Sequence, residues 1–170
     1  TLIIENCVME GWHPDGYPGN LAYSPELWEW MFSLGLYLNF DPSHLVWMGI
    51  DPVEAVKPYV SRIPHAQAKD VQLFPERRNR YGWPGKAVVR EDPWDVGWWR
   101  YRVPGLGQVD WNAVVDALYE GGFDGVLSVD VDGIIVAELG PGAVLGERAA
   151  LEGGRRTSTL RAITPCKVAA

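Results

Sequence analysis

The chain has 170 residues, 47% of them hydrophobic and 12% aromatic, enough to bury a core as one globular domain, which excludes a disordered or low-complexity chain. Its 15 basic and 22 acidic side chains leave a net charge of −7, the wrong sign for an extended track along nucleic acid. Cys7 and Cys166 lie near opposite ends without metal-type spacing, which argues against a disulfide framework or a thiolate zinc site; no apolar run approaches the roughly 20 residues that span a bilayer, so the expectation is a reducing, cytoplasmic setting without membrane contact.

Four short apolar runs end in polar or ionisable residues, each followed by turn residues and then helical spacing, which predicts the βα units of a parallel sheet. The first, Leu2-Ile3-Ile4, ends in Glu5-Asn6 and follows Thr1 with no Met ahead of it, as expected of a piece of a longer protein. Ser24-Pro25-Glu26 then marks a helix start, with an N-cap residue before a proline at the first helical position. The second run, Leu36-Tyr37-Leu38-Asn39-Phe40, ends in Asp41, and Asp51-Pro52-Val53-Glu54 begins a further helix with an acid three residues after the cap. The third, residues 63–68, ends in Lys69-Asp70. Residues 71–108, rich in Arg, Trp, Pro and Gly and without a sustained period, are too long for an ordinary connection and read as a functional loop or insertion. Asp110 caps a helix over Trp111–Glu120, and the fourth run, Val126-Leu127-Ser128-Val129, ends in Asp130. From Gly133 onward the pattern weakens; residues 147–163 carry the spacing of one final helix, interrupted by Gly153-Gly154.

In a parallel βα array the carboxyl ends of the strands converge on one face, so Glu5, Asp41, the His65/Gln67 pair and Asp130 become neighbours despite their distance in sequence. Oxygen donors with an imidazole or amide suit a hard or borderline divalent ion, Mn²⁺ first and Mg²⁺ or Co²⁺ next. A single strand-end carboxylate is usually a helix cap or a solvated loop residue, but four in succession favour a site. His44, three residues after Asp41, reads either as a turn cap or as a site residue, and the second is preferred; His13 sits in a Gly/Pro loop with no partner. Lys69-Asp70 is equally a solvated pair or a ligand contact. The aromatic stretch from Trp94 to Tyr101 is equally core packing or, with Arg100 and Arg102, the wall of a polyol pocket.

The segments Glu5-Asn6-Cys7, Gly19-Asn20-Leu21-Ala22, Asp41-Pro42-Ser43-His44, Ala66-Gln67-Ala68-Lys69-Asp70, Trp99-Arg100-Tyr101-Arg102, Pro104-Gly105-Leu106-Gly107-Gln108-Val109-Asp110-Trp111 and Gly121-Gly122-Phe123-Asp124-Gly125-Val126-Leu127-Ser128 occur in one order and spacing. Together they resemble sugar-phosphate isomerase/epimerase sequences of the xylose isomerase-like TIM-barrel superfamily, specifically the C-terminal half. The resemblance covers residues 1–132 and implies an α/β fold of about four βα units, half of a (β/α)8 barrel, with residues 133–170 as a divergent tail. It implies that Glu5 and Asp41 are metal ligands, that His44 touches substrate or orients a ligand, and that Arg100 and Arg102 reach substrate oxygens. Gln67 stands at the family's usual histidine, so the third ligand is either its amide or His65, two residues earlier on the same strand face. Asp130 replaces a glutamate and Val131 a histidine, which shortens the fourth ligand.

The implied reaction is proton transfer next to a carbonyl or hydroxyl of a sugar, sugar phosphate or polyol, with Glu5 and Asp130 as base and acid beside the metal and Lys69, Asp70, Arg100 and Arg102 about the substrate. A non-catalytic half-barrel that binds a sugar or a partner protein is the alternative. Endonuclease-like phosphodiester cleavage stands further off, because three histidines and the acidic charge suit neither a multi-metal cluster nor DNA. Four units leave strand edges and one side of the sheet open, so a second copy or an N-terminal half is the expected partner.

Overall fold

The computed structural model describes residues 1–8, 19–88, 95–131 and 134–139, with side chains as far as residue 129. A five-stranded sheet runs in the order β1 (Ile3–Glu5), β2 (Tyr37–Phe40), β3 (His65–Ala68), β6 (Val126–Val131) and β7 (Ile134–Leu139). The first four strands are parallel neighbours, and β7 returns antiparallel to β6. The fold is an α/β partial barrel, and the four parallel strands coincide with the four apolar runs. Strand β7 falls in the tail, where the sequence pattern is weak; the helix expected over residues 147–163 lies outside the described residues.

The intervening helices start as the sequence dictates. Ser24 occupies the N-cap of α1 (Pro25–Ser33) with extended backbone and without a side-chain bond. Asp41 caps α2 (Pro42–Met48), Asp51 caps α3 (Pro52–Val56) and Asp110 caps α5 (Trp111–Glu120), each carboxylate accepting from backbone N–H groups of the first turn. Helix α2 ends at Gly49, whose φ of 80° lets its N–H reach back to the carbonyls of Leu45 and Val46. A 3-10 turn, Lys57–Arg62, leads into β3.

The main core lies between these helices and the sheet. Trp28, Met31 and Phe32 fall at i, i+3 and i+4 of α1 and are buried with Leu38, Phe40, Leu45, Val56, Val114 and Leu118. The Trp28 indole also donates to the Ala22 carbonyl at 2.6 Å, so its polar edge is satisfied at no exposure.

The long Arg/Trp-rich stretch is more ordered than its lack of periodicity predicts. It holds β4 (Asp70–Leu73), α4 (Pro75–Tyr81) and β5 (Trp99–Arg102), and β4 pairs antiparallel with β5 as a separate two-stranded sheet. Four-residue strands in a hairpin give too few alternations to register as a period. Its aromatics form a second core: Trp98 is fully buried, and Trp99 stacks on Trp47 at 4.8 Å with 13° between ring planes. Of the two readings of the aromatic run, packing holds for Trp98 and Trp99, while Trp94 lies outside the described residues.

Asp70 corrects a second expectation. It is neither a solvated pair with Lys69 nor open to a substrate, because it is buried and its two oxygens accept from the backbone N–H groups of Val71, Gly105, Gly107 and Val109 at 2.8–3.0 Å. The carboxylate therefore folds residues 103–109 against β4. Gly107 is required there, since a Cβ would run into that carboxylate and the Val71 carbonyl.

Two stability changes are expected. Trp28→Ala should lose about 3–5 kcal/mol through the cavity it leaves. Asp70→Ala strands several backbone donors and should lose about 3 kcal/mol or more, with Asp70→Asn losing less. Urea unfolding midpoints at unchanged slope check both.

Candidate active site

The ladder sets the site in two levels. Glu5, Asn39, His65 and Val126 are in register across β1, β2, β3 and β6, and Gln67 pairs with Ser128 one level nearer the carboxyl ends. Asn6 fixes the chain between the levels: its amide nitrogen donates to the Asp41 carbonyl at 2.8 Å and its oxygen accepts from the Asp41 N–H at 2.6 Å. This buried side chain acts as an extra ladder rung that locks the end of β1 to the start of α2.

Asp41 is fully buried and saturated. Its Oδ1 accepts from the Ser43 N–H and hydroxyl at 2.8 and 2.6 Å, and its Oδ2 pairs with Lys69 Nζ at 2.8 Å and lies 3.3 Å from His44 Nε2. Burial opposes its ionisation, but the charges and hydrogen bonds of His44 and Lys69 overcome that and lower its pKa to about 2. Asp41 is thus the cap of α2 and the counter-ion of Lys69, with Oδ2 turned toward Lys69 and His44.

His44 is the hub. Its Nε2 lies 3.2 Å from Glu5 Oε1, and its Nδ1 meets the Tyr101 hydroxyl at 2.9 Å. Burial works against a charged ring, yet Asp41 and Glu5 raise its pKa above the ordinary value. Burial pushes the Tyr101 hydroxyl well above its usual range, reinforced by the charges of Asp41, Cys7 and Glu5, so it stays a neutral phenol. Lys69 Nζ sits 3.4 Å from His44 Nε2, 4.0 Å from Glu5 Oε1 and 4.5 Å from the Tyr101 ring centre.

Gln67 faces the same group. With its amide nitrogen turned toward the carboxylates, it donates to Glu5 Oε1 at 2.9 Å and to Asp41 Oδ2 at 3.2 Å. It stands as a donor that steadies two carboxylates. His65 is not brought in: its Nδ1 lies 2.6 Å from Asn39 Oδ1, and Asn39 stands between it and Glu5 in the ladder. Of the four strand-end positions, Glu5, Asp41 and Gln67 therefore meet around His44 and Lys69. Asp130 follows Val129, the partner of Ala68, but its side chain lies outside the described residues, as does His13.

Arg100 and Arg102 do not reach this group. Alternation along β5 puts Trp99 and Tyr101 on one face and the two arginines on the other. There both guanidinium groups donate to Gln72 Oε1 at 2.7–3.2 Å.

Sequence reasoning missed Tyr101 and Cys7. The Cys7 sulfur, a Glu5 carboxylate oxygen and a His44 ring nitrogen all lie within 4.8 Å of one another. Residues 5 and 7 have the spacing of one strand face, and that is the available signal. Tyr101 becomes visible only through the β4–β5 pairing. Glu5 keeps 31% of its side chain exposed, so the group opens to solvent at the carboxylate and is closed behind His44, Asp41 and Lys69, each with a side chain at most 8% exposed.

Known proteins share sequence with this chain. The uncharacterized protein YfiH of Bacillus subtilis (strain 168) is 30% identical over 130 residues, 72% of this chain and 40% of its own length. Inosose dehydratase of Clostridium botulinum (strain Eklund 17B / Type B) is 32% identical over 97 residues, 57% of this chain and 30% of its own. The chain thus spans well under half the length of these relatives. Among solved structures, a xylose isomerase domain protein from Planctomyces limnophilus aligns at 23% identity and a TM-score of 0.40, over 56% of this chain and 29% of that one. No helix among the described residues is long and apolar enough to cross a membrane. The family that matches residues 1–149 is described as xylose isomerase-like TIM barrel, and the chain belongs to it.

Proposed function

We propose that this protein is the part of a divalent-metal enzyme that binds a sugar, sugar phosphate or related polyol and moves a proton at the carbon next to its carbonyl. The observation that carries this reading is the partly exposed Glu5 carboxylate held at a strand end by His44, Gln67 and Lys69. Parallel βα barrels use that end of the sheet for chemistry.

The donor set fits a divalent ion. Glu5 and His44 offer an oxygen and a nitrogen 3.2 Å apart, about the separation of two donors on one ion, and the surrounding carboxylates already accommodate a cation in Lys69. Glu5 and His44 would hold the ion; carboxylate and imidazole donors by themselves favour Mn²⁺, then Mg²⁺ or Co²⁺. When bound, the ion supplies a Lewis acid for carbonyl and hydroxyl oxygens of the substrate. Glu5 takes the proton from carbon, and Asp130, one residue beyond the β3–β6 register, is the second carboxylate that returns it. Tyr101 keeps the His44 ring oriented through Nδ1, and Gln67 limits the swing of Glu5. Lys69 holds positive charge where negative charge grows on substrate oxygen.

Isomerisation or epimerisation follows if the proton returns to carbon. Dehydration follows if Asp130 instead protonates a hydroxyl on the neighbouring carbon, which departs as water, and the dehydratase relatives favour that second outcome. Residues 1–132 serve as the C-terminal half-barrel, with an N-terminal half or a second copy supplying further strands beside the exposed β1 edge at Leu2 and Ile3, and the protein works in the cytoplasm without nucleic acid. A binding half-barrel without turnover is the competing reading, favoured by the Lys69 ammonium that already lies against the carboxylates a metal ion would use.

Proton–deuterium exchange decides between them. In D2O with Mn²⁺ and a ketose or inosose, NMR should show loss of the proton beside the carbonyl, stopped by chelation and slowed about 100-fold or more in Glu5→Gln. Bound substrate with no exchange would leave only the binding reading.

A further inference from the structure

The divalent site proposed above rests on Glu5 and His44, yet a third donor of different chemistry stands beside them. Cys7 is 7% exposed, and its sulfur lies within 4.8 Å of both the Glu5 oxygen and the His44 nitrogen. Donors on one tetrahedral ion are separated by about 3.5 Å, so closing the triangle takes a shift of roughly 1 Å from side chains that already point together. We propose that Cys7 is a ligand, and that Glu5, Cys7 and His44 hold a thiophilic divalent ion, Zn²⁺ or Co²⁺ in preference to Mn²⁺ or Mg²⁺, with a fourth position open to substrate.

Three further features support the assignment. Asn20 ties the sulfur to the strand end: its amide nitrogen donates to the Glu5 carbonyl at 2.8 Å and lies 3.5 Å from Cys7 Sγ, while its oxygen accepts from the Ala22 N–H at 3.3 Å. An N–H donor on the sulfur stabilises a thiolate bound to metal and fixes its direction. Tyr101 gives His44 the outer partner that metal-bound imidazoles generally have: its hydroxyl lies 2.9 Å from Nδ1, and with the ion bound it would accept from Nδ1–H and leave the Nε2 lone pair for the metal.

Charge balance is the third feature. With the thiol deprotonated by the ion, Glu5, Asp41 and Cys7 contribute three negative charges against one positive from Lys69, leaving two to cancel a dication. Lys69 need not leave, because its close partner is Asp41 at 2.8 Å, while Glu5 Oε1 lies 4.0 Å from it. Three protein ligands with one open position is the arrangement of catalytic rather than structural zinc.

The test uses Co²⁺ alone as probe. The chain has two cysteines, so Cys166→Ser leaves Cys7 as its sole thiol. Titrated with Co²⁺, that variant should develop a saturable thiolate-to-cobalt charge-transfer band in the near ultraviolet, and Cys7→Ser should not. By calorimetry Zn²⁺ should bind about tenfold or more tightly than Mn²⁺, a gap that narrows in Cys7→Ser. Co²⁺ that binds Cys166→Ser without the band overturns the role of Cys7. If its affinity still falls in Glu5→Gln, the site at Glu5 and His44 stands without the sulfur; if Co²⁺ does not bind at all, both fall. The Cys166→Ser spectrum decides even where Cys7→Ser fails to fold.

Discussion

The buried ion pair between Asp41 and Lys69 is the constraint on which the site depends. Both side chains are withdrawn from water, and in that setting a lone charge costs several kcal/mol, which the partner at 2.8 Å offsets for each. Asp41 is held from a second side by Ser43 as it starts α2, and Lys69 occupies the single residue between β3 and β4. The pair therefore fixes a helix start on one strand end against the outgoing chain of the next. His44, one turn into α2, is carried to Glu5 by that placement.

Everything nearer solvent is built outward from that pair. Asn6 doubles the ladder between β1 and Asp41, Gln67 spans the two carboxylates, and Tyr101 backs His44 from the hairpin. The hairpin is itself seated by the Trp47–Trp99 stack and by the backbone donors gathered on Asp70. Catalytic geometry is usually maintained by such supporting contacts rather than by the reacting groups themselves. Glu5 is the exception in its exposure, which suits a group that must meet a ligand.

Much of this was legible in the sequence for a plain reason. Parallel strands place their carboxyl ends on one face, so four apolar runs ending in polar residues are enough to locate a site. That logic finds Glu5, Asp41, Gln67 and Lys69. It fails where side-chain identity does not reveal the partner. Asp70 reads like a site carboxylate, but backbone N–H groups from a loop 35–39 residues further along the chain consume it. Arg100 and Arg102 share a motif with Tyr101 and yet face the other way, because strand alternation separates neighbours. His65 shares a face with Gln67 but sits one level lower, beside Asn39. Cys7 escapes because cysteine spacing is informative for clustered thiols and silent for a single sulfur that meets its co-ligands through the fold.

The decisive question is whether a divalent ion occupies the end of β1. Anomalous-difference maps from crystals soaked in Co²⁺ test this directly. A peak bonded to Glu5 and His44, with Lys69 still on Asp41, is the predicted result. A fully loaded crystal whose peaks all lie away from Glu5 would contradict it.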